Sequence, residues 1–422
     1  MRTSSSSLLL PILLLSFATP PALAADAELD ALNLESAPET PAPKARHTKM
    51  FVEGAAGQAS QRYQSNDRST GRASLDLTHS SRLTPGLRVT VSNRTDHFIH
   101  KENGVDDTVN SLREGYVSWQ PDGESNVLEF GRINLRYGPA YGYNPTDFFR
   151  DGSLRVLTTA DPFSLRENRM GAVMLRGQHL FNKGSVSLAV SPKLADKPSM
   201  DGWDLDLGST NNRDRYLLAV SGQYSERVSG QALLYQERGR SATVGMNLTA
   251  LVSDGATAHM ELTRGTEPDV MRRALAPNGE SVTRNRFVAG MTYTTLGKLS
   301  VTAEYQYNGF GIKPADWTAL NASPSTQLAY LQGALRLQEL APREAYLVYV
   351  TQRGLGLKDL DLTAYVRMNP GDGSKLTWME LRHHWANYDL ALQWQQNSGS
   401  TNSEFGLVPD RRLVQVLGNY RF

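Results

Sequence analysis

The sequence predicts an all-β fold, a transmembrane antiparallel β-barrel of about 18 strands with short turns on one rim and long loops on the other. Three observations predict it. From His47 onward, short segments alternate apolar and polar residues. The connections between them alternate in length, tight turns with much longer connectors. The chain ends on a strand, Leu413–Phe422, with two aromatics on its apolar face.

In that last strand Phe422, Tyr420, Gly418, Val416 and Val414 share one face, and Arg421, Asn419, Leu417 and Gln415 share the other, because side chains alternate across a strand. A soluble protein rarely ends this way with its edge uncovered. In a closed barrel the last strand pairs with the first, and no edge remains. The ending resembles the C-terminal strand of bacterial outer-membrane β-barrel proteins. That resemblance implies that Phe422, with Tyr420, is a signal read by the barrel-assembly machinery.

Composition narrows the classes. The chain has 422 residues, 44 basic and 43 acidic side chains and no Cys. Without Cys there is no disulfide framework and no thiolate metal site. A near-neutral chain lacks the basic footprint of a nucleic-acid binder. A low average hydropathy is no argument against a membrane barrel, whose strands hide an apolar face behind polar neighbours.

Met1-Arg2, the apolar run Leu8–Phe17 and the small-x-small site Ala22-Leu23-Ala24 read as a secretory signal peptide over residues 1–24. The run is too short to span a bilayer as a helix. Residues 25–46 are rich in Ala, Pro and acidic side chains and read as a mobile periplasmic extension. The barrel is expected over 47–422. Alternating strands are clearest at 244–252, 299–308, 360–368 and 388–395. A soluble sandwich would alternate too, so the connections decide. Leu83-Thr-Pro-Gly86, Pro121-Asp-Gly-Glu124, Asn182-Lys-Gly184, Ser253-Asp-Gly255 and Leu296-Gly-Lys298 are tight turns set between long connectors. Reading Thr326–Gln338 as a strand would give an odd total. Leu328, Leu331 and Leu335 sit instead at helical spacing behind Ser323-Pro324-Ser325, so a short helix is expected inside a long outer loop over 309–342. The total is then even, as single-chain bacterial barrels require. Trp119, Trp385, Tyr388, Tyr420 and Phe422 fall near the short-turn rim, and Tyr305, Tyr307 and Trp394 near the other, as interfacial aromatics do.

The most distinctive stretch is Gly131-Arg-Ile-Asn-Leu-Arg-Tyr-Gly-Pro-Ala-Tyr-Gly-Tyr-Asn-Pro-Thr-Asp-Phe-Phe149. Its alternation suggests that Arg132, Asn134 and Arg136 face the lumen. The chain then leaves through Gly138-Pro139 into a third outer loop, 137–167, expected to fold inward and narrow the pore. Arg132, Asn134, Arg136, Asp147 and Arg150 form the expected constriction, with Arg176, Arg286, Arg367 and Arg382 along the solute path. Further lumen charges are expected at Arg88, Arg94, Asp76, Asp96, Glu114, Glu261, Glu304, Asp361, Glu380 and Asp389. The set is nearly balanced, and most of it is expected to pair across the wall.

The Gly-Arg-x-Asn…Gly…Asn-Pro-Thr-Asp-Phe pattern resembles one found in porin-like and export-type barrels of proteobacteria, among them substrate-specific porins and the alginate exporter. The resemblance implies an outer-membrane channel of a Gram-negative bacterium through which small polar solutes diffuse, with selectivity set near 137–167. It leaves two alternatives: an export channel for a polysaccharide or other secreted product, working with periplasmic partners, or a non-conducting structural or binding barrel. No enzyme, cofactor or metal is expected. His383 and His384 point to opposite faces of a strand and cannot share a metal. His79, His179 and His259 are scattered, and none sits beside an obvious nucleophile. No nucleic-acid partner is expected; membrane lipid and a small polar solute are.

Overall fold

A computed structural model describes residues 47–99, 107–121, 125–199, 201–275 and 280–422. The segments read as signal peptide and extension lie outside these residues, as does most of the Pro121–Glu124 turn.

The chain forms one 18-stranded antiparallel sheet in which every strand pairs with its sequence neighbours. In order these are β1 (Thr48–Gln61), β2 (Arg68–Thr84), β3 (Leu87–Phe98), β4 (Thr108–Trp119), β5 (Asn126–Ile133), β6 (Ala172–Phe181), β7 (Gly184–Ser191), β8 (Arg215–Ser225) and β9 (Val228–Glu237). The second half comprises β10 (Thr243–Ser253), β11 (Ala256–Glu267), β12 (Val282–Thr294), β13 (Leu299–Asn308), β14 (Glu344–Gln352), β15 (Leu360–Met368), β16 (Lys375–His384), β17 (Tyr388–Ser398) and β18 (Asp410–Arg421). β18 pairs with β1 from Phe51↔Arg421 to Gln61↔Asp410, so the sheet closes on itself. The expected fold class and strand number are observed.

The two faces invert the order of a soluble protein. Leu75, Val117, Phe130, Leu175, Leu188, Leu218, Leu234, Leu392 and Val416 are exposed on the outside, while Glu53, Arg72, Asp76, Arg94 and Asp96 are buried inside. An apolar exterior of this extent is a lipid-facing surface. Trp119, Trp385, Tyr388, Tyr420 and Phe422 are exposed at the short-turn rim. Tyr305 meets Tyr346 near the long-loop rim, with ring centroids 5.6 Å apart.

The turns have local causes. Gly86 takes a φ of +84° after Pro85, a left-handed value that glycine adopts freely. The opposite rim carries the helices: α1 (Pro162–Asn168), α2 (Leu207–Thr210), α3 (Val270–Leu275), α4 (Pro314–Ala319) and α5 (Pro324–Arg336). α5 starts at Ser323-Pro324 as expected, but it buries Gln327, Tyr330, Gly333 and Ala334 rather than the leucine stripe, and Leu335 is exposed. The cause is close packing on α3: a Cβ on Gly333 would lie 2.3 Å from the Cβ of Ala274.

The β1–β18 seam has its own tight point. A Cβ on Gly57 would lie 2.4 Å from the Val414 carbonyl, whereas Gly54 and Gly418 face open space. Gly57→Val is therefore expected to destabilise the refolded barrel by about 1–3 kcal/mol, and Gly54→Ala by less than about 0.5 kcal/mol. Urea unfolding followed by the heat-modifiable band on a gel measures both; equal effects would contradict the packing at the seam.

Candidate functional site

Between β5 and β6 the third outer loop (134–171) turns into the barrel and reaches the opposite wall. Two carboxylates hold it there. Glu261 of β11 is fully buried; it accepts from the N–H of Ala140 (2.8 Å) and Thr146 (3.2 Å), the Asn144 amide (2.9 Å) and the Thr146 hydroxyl (2.8 Å). Glu304 of β13 accepts from the N–H of Tyr141 (2.6 Å) and Gly142 (3.0 Å), the Gln306 amide (2.9 Å) and the His259 ring (2.9 Å). A buried carboxylate is costly unless it is well hydrogen-bonded; most of the donors to these two come from the loop they fix.

This explains the composition of the motif. Gly138 has a φ of +96°, and a Cβ there would lie 2.3 Å from the Glu261 carboxylate. A Cβ on Gly142 would lie 2.5 Å from the Gln306 amide. Asn144 also donates to the Ala140 carbonyl at 2.6 Å, closing the turn. Phe148 stacks on Tyr235 with centroids 4.5 Å apart. Farther along, Tyr365 donates to the Ala160 carbonyl (2.7 Å) and Tyr349 to Asp161 (3.1 Å). Asp161 also caps α1 by accepting from the Ser164 N–H at 3.0 Å, and burial pushes its carboxyl above the usual range.

The expected constriction does not assemble as one cluster; its members go to three places. Asp147 pairs with Arg169 through two bonds of 2.8 Å and lies 3.4 Å from Arg166. Asn134 joins this nest, accepting from Arg169 at 2.7 Å. Burial would raise the Asp147 carboxyl, but Arg169 and Arg166 hold it below the usual range. Arg150 instead meets Glu339 of the seventh loop (3.1 Å), which also takes Arg273 (3.0 Å) and Arg286 (2.9 Å). The Tyr143 hydroxyl donates to the same carboxylate at 2.7 Å, and the three guanidiniums outweigh its burial and hold it low.

Arg132 is the correction. The ladder sets it opposite Gly115 and Val173, on the outward face shared with Leu128 and Phe130. Ile133 and Leu135 point inward into a buried apolar nest with Met174, Leu217 and Leu233. Both faces of β5 carry apolar residues, so alternation could not tell inside from outside. Arg132 is buried because the fourth outer loop covers it, and it donates to the Leu205 carbonyl at 2.6 Å. Arg136, half-buried where the third loop leaves the wall, lies near enough to Arg169 for the two guanidiniums to repel, and so belongs with the Asp147 nest.

The other arginines on the expected path face the lumen and are paired: Arg176 with Glu129 (3.0 Å), Arg367 with Glu404 (2.5 Å) and Arg382 with Glu380 (2.7 Å). Arg94 bridges Glu53, Asp76 and Asp96 at 2.8, 3.5 and 3.0 Å. Sequence reasoning missed Arg169, Arg273 and Glu339, which hold the nests together. The one signal was the concentration of charge at both ends of the third loop. Among the described residues no group of three or more His, Asp or Glu side chains could hold a metal ion.

The same overall arrangement occurs in solved structures. OccAB1 of Acinetobacter baumannii superposes with a TM-score of 0.56 at 11% identity, covering 89% of this chain and 96% of that one. OccK5 (OpdH) of Pseudomonas aeruginosa gives 0.55 at 10% identity, covering 89% and 98%. The outer membrane protein OprD of Pseudomonas aeruginosa gives 0.52 at 9% identity, covering 89% and 93%. This is the fold of a Gram-negative outer-membrane porin. No protein-family model matches the porin-like chain, and no curated protein matches it in sequence.

Removing Asp147 strands a buried guanidinium. Asp147→Ala should cost about 3–5 kcal/mol, and Asp147→Leu with Arg169→Met markedly less, measured by urea unfolding. The Asp147 carboxyl is held low in the folded state, so its contribution is complete above about pH 4 and fades as the pH falls through its lower folded value. A wild-type-like midpoint for Asp147→Ala at neutral pH would contradict the pairing.

Proposed function

We propose that the protein is an outer-membrane channel through which small polar solutes diffuse, with selectivity set by the inward third loop. The observation that carries this reading is the anchoring of 138–146 on Glu261 and Glu304, which holds an ordered loop inside a wide barrel. A barrel of this size encloses an aqueous lumen unless something fills part of it. A loop fixed by hydrogen bonds to the far wall narrows that lumen to a defined passage.

The loop also touches the wall at Arg72 of β2, Arg113 of β4 and Tyr365 of β15, so the passage is assigned to the space these contacts leave. The charges we assign to it are Arg136 and Arg166 on the loop and the Glu380–Arg382–Asp389 group on the wall. Most charges on this route are already paired, which favours neutral and zwitterionic solutes over a strong preference for either sign. The signal peptide directs the chain to the periplasm, and Tyr420 and Phe422 present the last strand to the assembly machinery. The solved structures support the reading through the shared barrel.

Liposome swelling with a panel of sugars, amino acids and organic anions tests it. Swelling by small sugars and amino acids is expected, falling steeply with size, and absence of swelling by every solute would refute a channel. In planar bilayers, Arg136→Ala with Arg166→Ala should shift ion selectivity toward cations by roughly twofold or more. Arg132→Ala should leave it unchanged. The reverse pattern would return Arg132 to the pore.

A further inference from the structure

The barrel wall is incomplete in one place. β4 keeps its ladder with β3 along almost its whole length, from His97↔Thr108 to Leu87↔Trp119, but pairs with β5 only from Gly115 to Trp119. β5 stops at Ile133, opposite Ala172 of β6. Among the described residues none forms a strand on that side of 108–114, the outer half of β4. In a bilayer such an edge exposes backbone groups that lipid cannot satisfy.

Loops and Arg132 at the end of β5 satisfy them instead. The Asn110 N–H donates to the Gly202 carbonyl (2.7 Å), and the Asn110 carbonyl accepts from Arg155 (2.8 Å). The Arg113 carbonyl accepts from the Gly171 N–H (2.7 Å), and the Leu112 carbonyl from Arg132 (3.1 Å). Arg132 also holds the Leu205 carbonyl (2.6 Å) and the Thr210 hydroxyl (3.2 Å). On the β6 side the Asn211 amide accepts from the Val173 N–H (2.9 Å) and donates to its carbonyl (2.8 Å). The side chain takes the place of a ladder partner there. Residues 201–211 of the fourth loop are a patch in the wall.

The surroundings of the patch are amphipathic. Behind it the inward side of the wall is apolar, with Ile133, Met174 and Leu217 buried beneath the third loop, where porin interiors are ordinarily polar. In front, Trp203 and Leu205 are exposed, at 65% and 49%. Beside them the outward face carries a polar group in which Asn110 accepts from Asn93 (2.8 Å) and Thr95 (2.8 Å). A cavity of about 350 Å³ within the loop is bounded by Lys197, Asp204, Leu205 and Leu207 among others. Its lining mixes apolar side chains with one cation and one anion, which suits a molecule with an apolar chain and a polar head.

We propose that this patch is a lateral seam, closed by the fourth loop, through which single-chain amphiphiles pass between the lumen and the outer leaflet. The proposal rests on the channel reading of the barrel. Loop contacts through side chains open at lower free energy than continuous strand ladders, so the seam is the part of the wall that parts first.

Leu112→Cys with Leu205→Cys tests it, because Arg132 bridges the two carbonyls and brings these positions together. Proteoliposomes are compared with the pair reduced and with it joined, as a disulfide or by a short bismaleimide. The probes are octyl sulfate, a permanently charged amphiphile, and arabinose. Joining should lower octyl sulfate uptake about fivefold or more while arabinose uptake stays within about twofold. Unchanged octyl sulfate uptake, or a parallel fall of both probes, would overturn the seam. Arabinose uptake by the reduced protein tests the channel reading separately. If joining blocks folding, Arg132→Ala, which frees the loop, should raise octyl sulfate uptake and leave arabinose unchanged; no rise would also overturn the seam.

Discussion

A chain in lipid has to pair each backbone amide within its own wall, and this constraint accounts for more of the structure than any single contact. Closure of β18 on β1 meets it around most of the circumference. It fails between β4 and β6 because β5 is short, and there Arg132 from the end of β5, with Arg155 and Asn211 from loops, completes the wall. A residue that sequence alternation assigns to solute contact thus serves wall closure. Buried guanidiniums suit this role because each presents several donors in a fixed plane to carbonyls that lack partners.

The same accounting governs the interior. An inward loop brings unpaired N–H groups into the lumen, and Glu261 and Glu304 receive them in the way that anions receive donors at helix N-termini. Carboxylates on one wall and glycines on the loop fit each other: without Gly138 and Gly142 the backbone could not come close enough. Arginine–carboxylate nests then fasten the rest, Asp147 to Arg169 within the third loop and Arg150 to Glu339 of the seventh. Replacing such nests by apolar side chains could give equal stability. The bidentate Asp147–Arg169 pair and the Glu339 carboxylate shared by three guanidiniums instead fix one position for each loop.

Much of this was legible before any coordinates. Alternation gave the strands, loop lengths gave the two rims, and parity turned 326–338 from a strand into α5. The third loop could be named as the inward one from its position in the order. Three things were not legible. The inside of β5 was ambiguous because Ile133 and Leu135 are apolar and yet face the lumen, where the third loop covers them. The buried face of α5 was set by Gly333 against Ala274, a contact between distant segments. Glu339 carries no local motif, and its three arginines come from the third loop, α3 and β12. Period and propensity report what a residue does within its own element; partners chosen across the barrel leave no such trace.

The central claim is that an aqueous barrel is narrowed by a loop fixed to its far wall through two carboxylates. Single-channel current in planar bilayers, compared between the native protein and Glu261→Ala with Glu304→Ala, tests it most directly. The account predicts discrete conducting steps from both, larger and noisier in the variant because the loop is released. No steps from either protein, or identical steps from both, would contradict it.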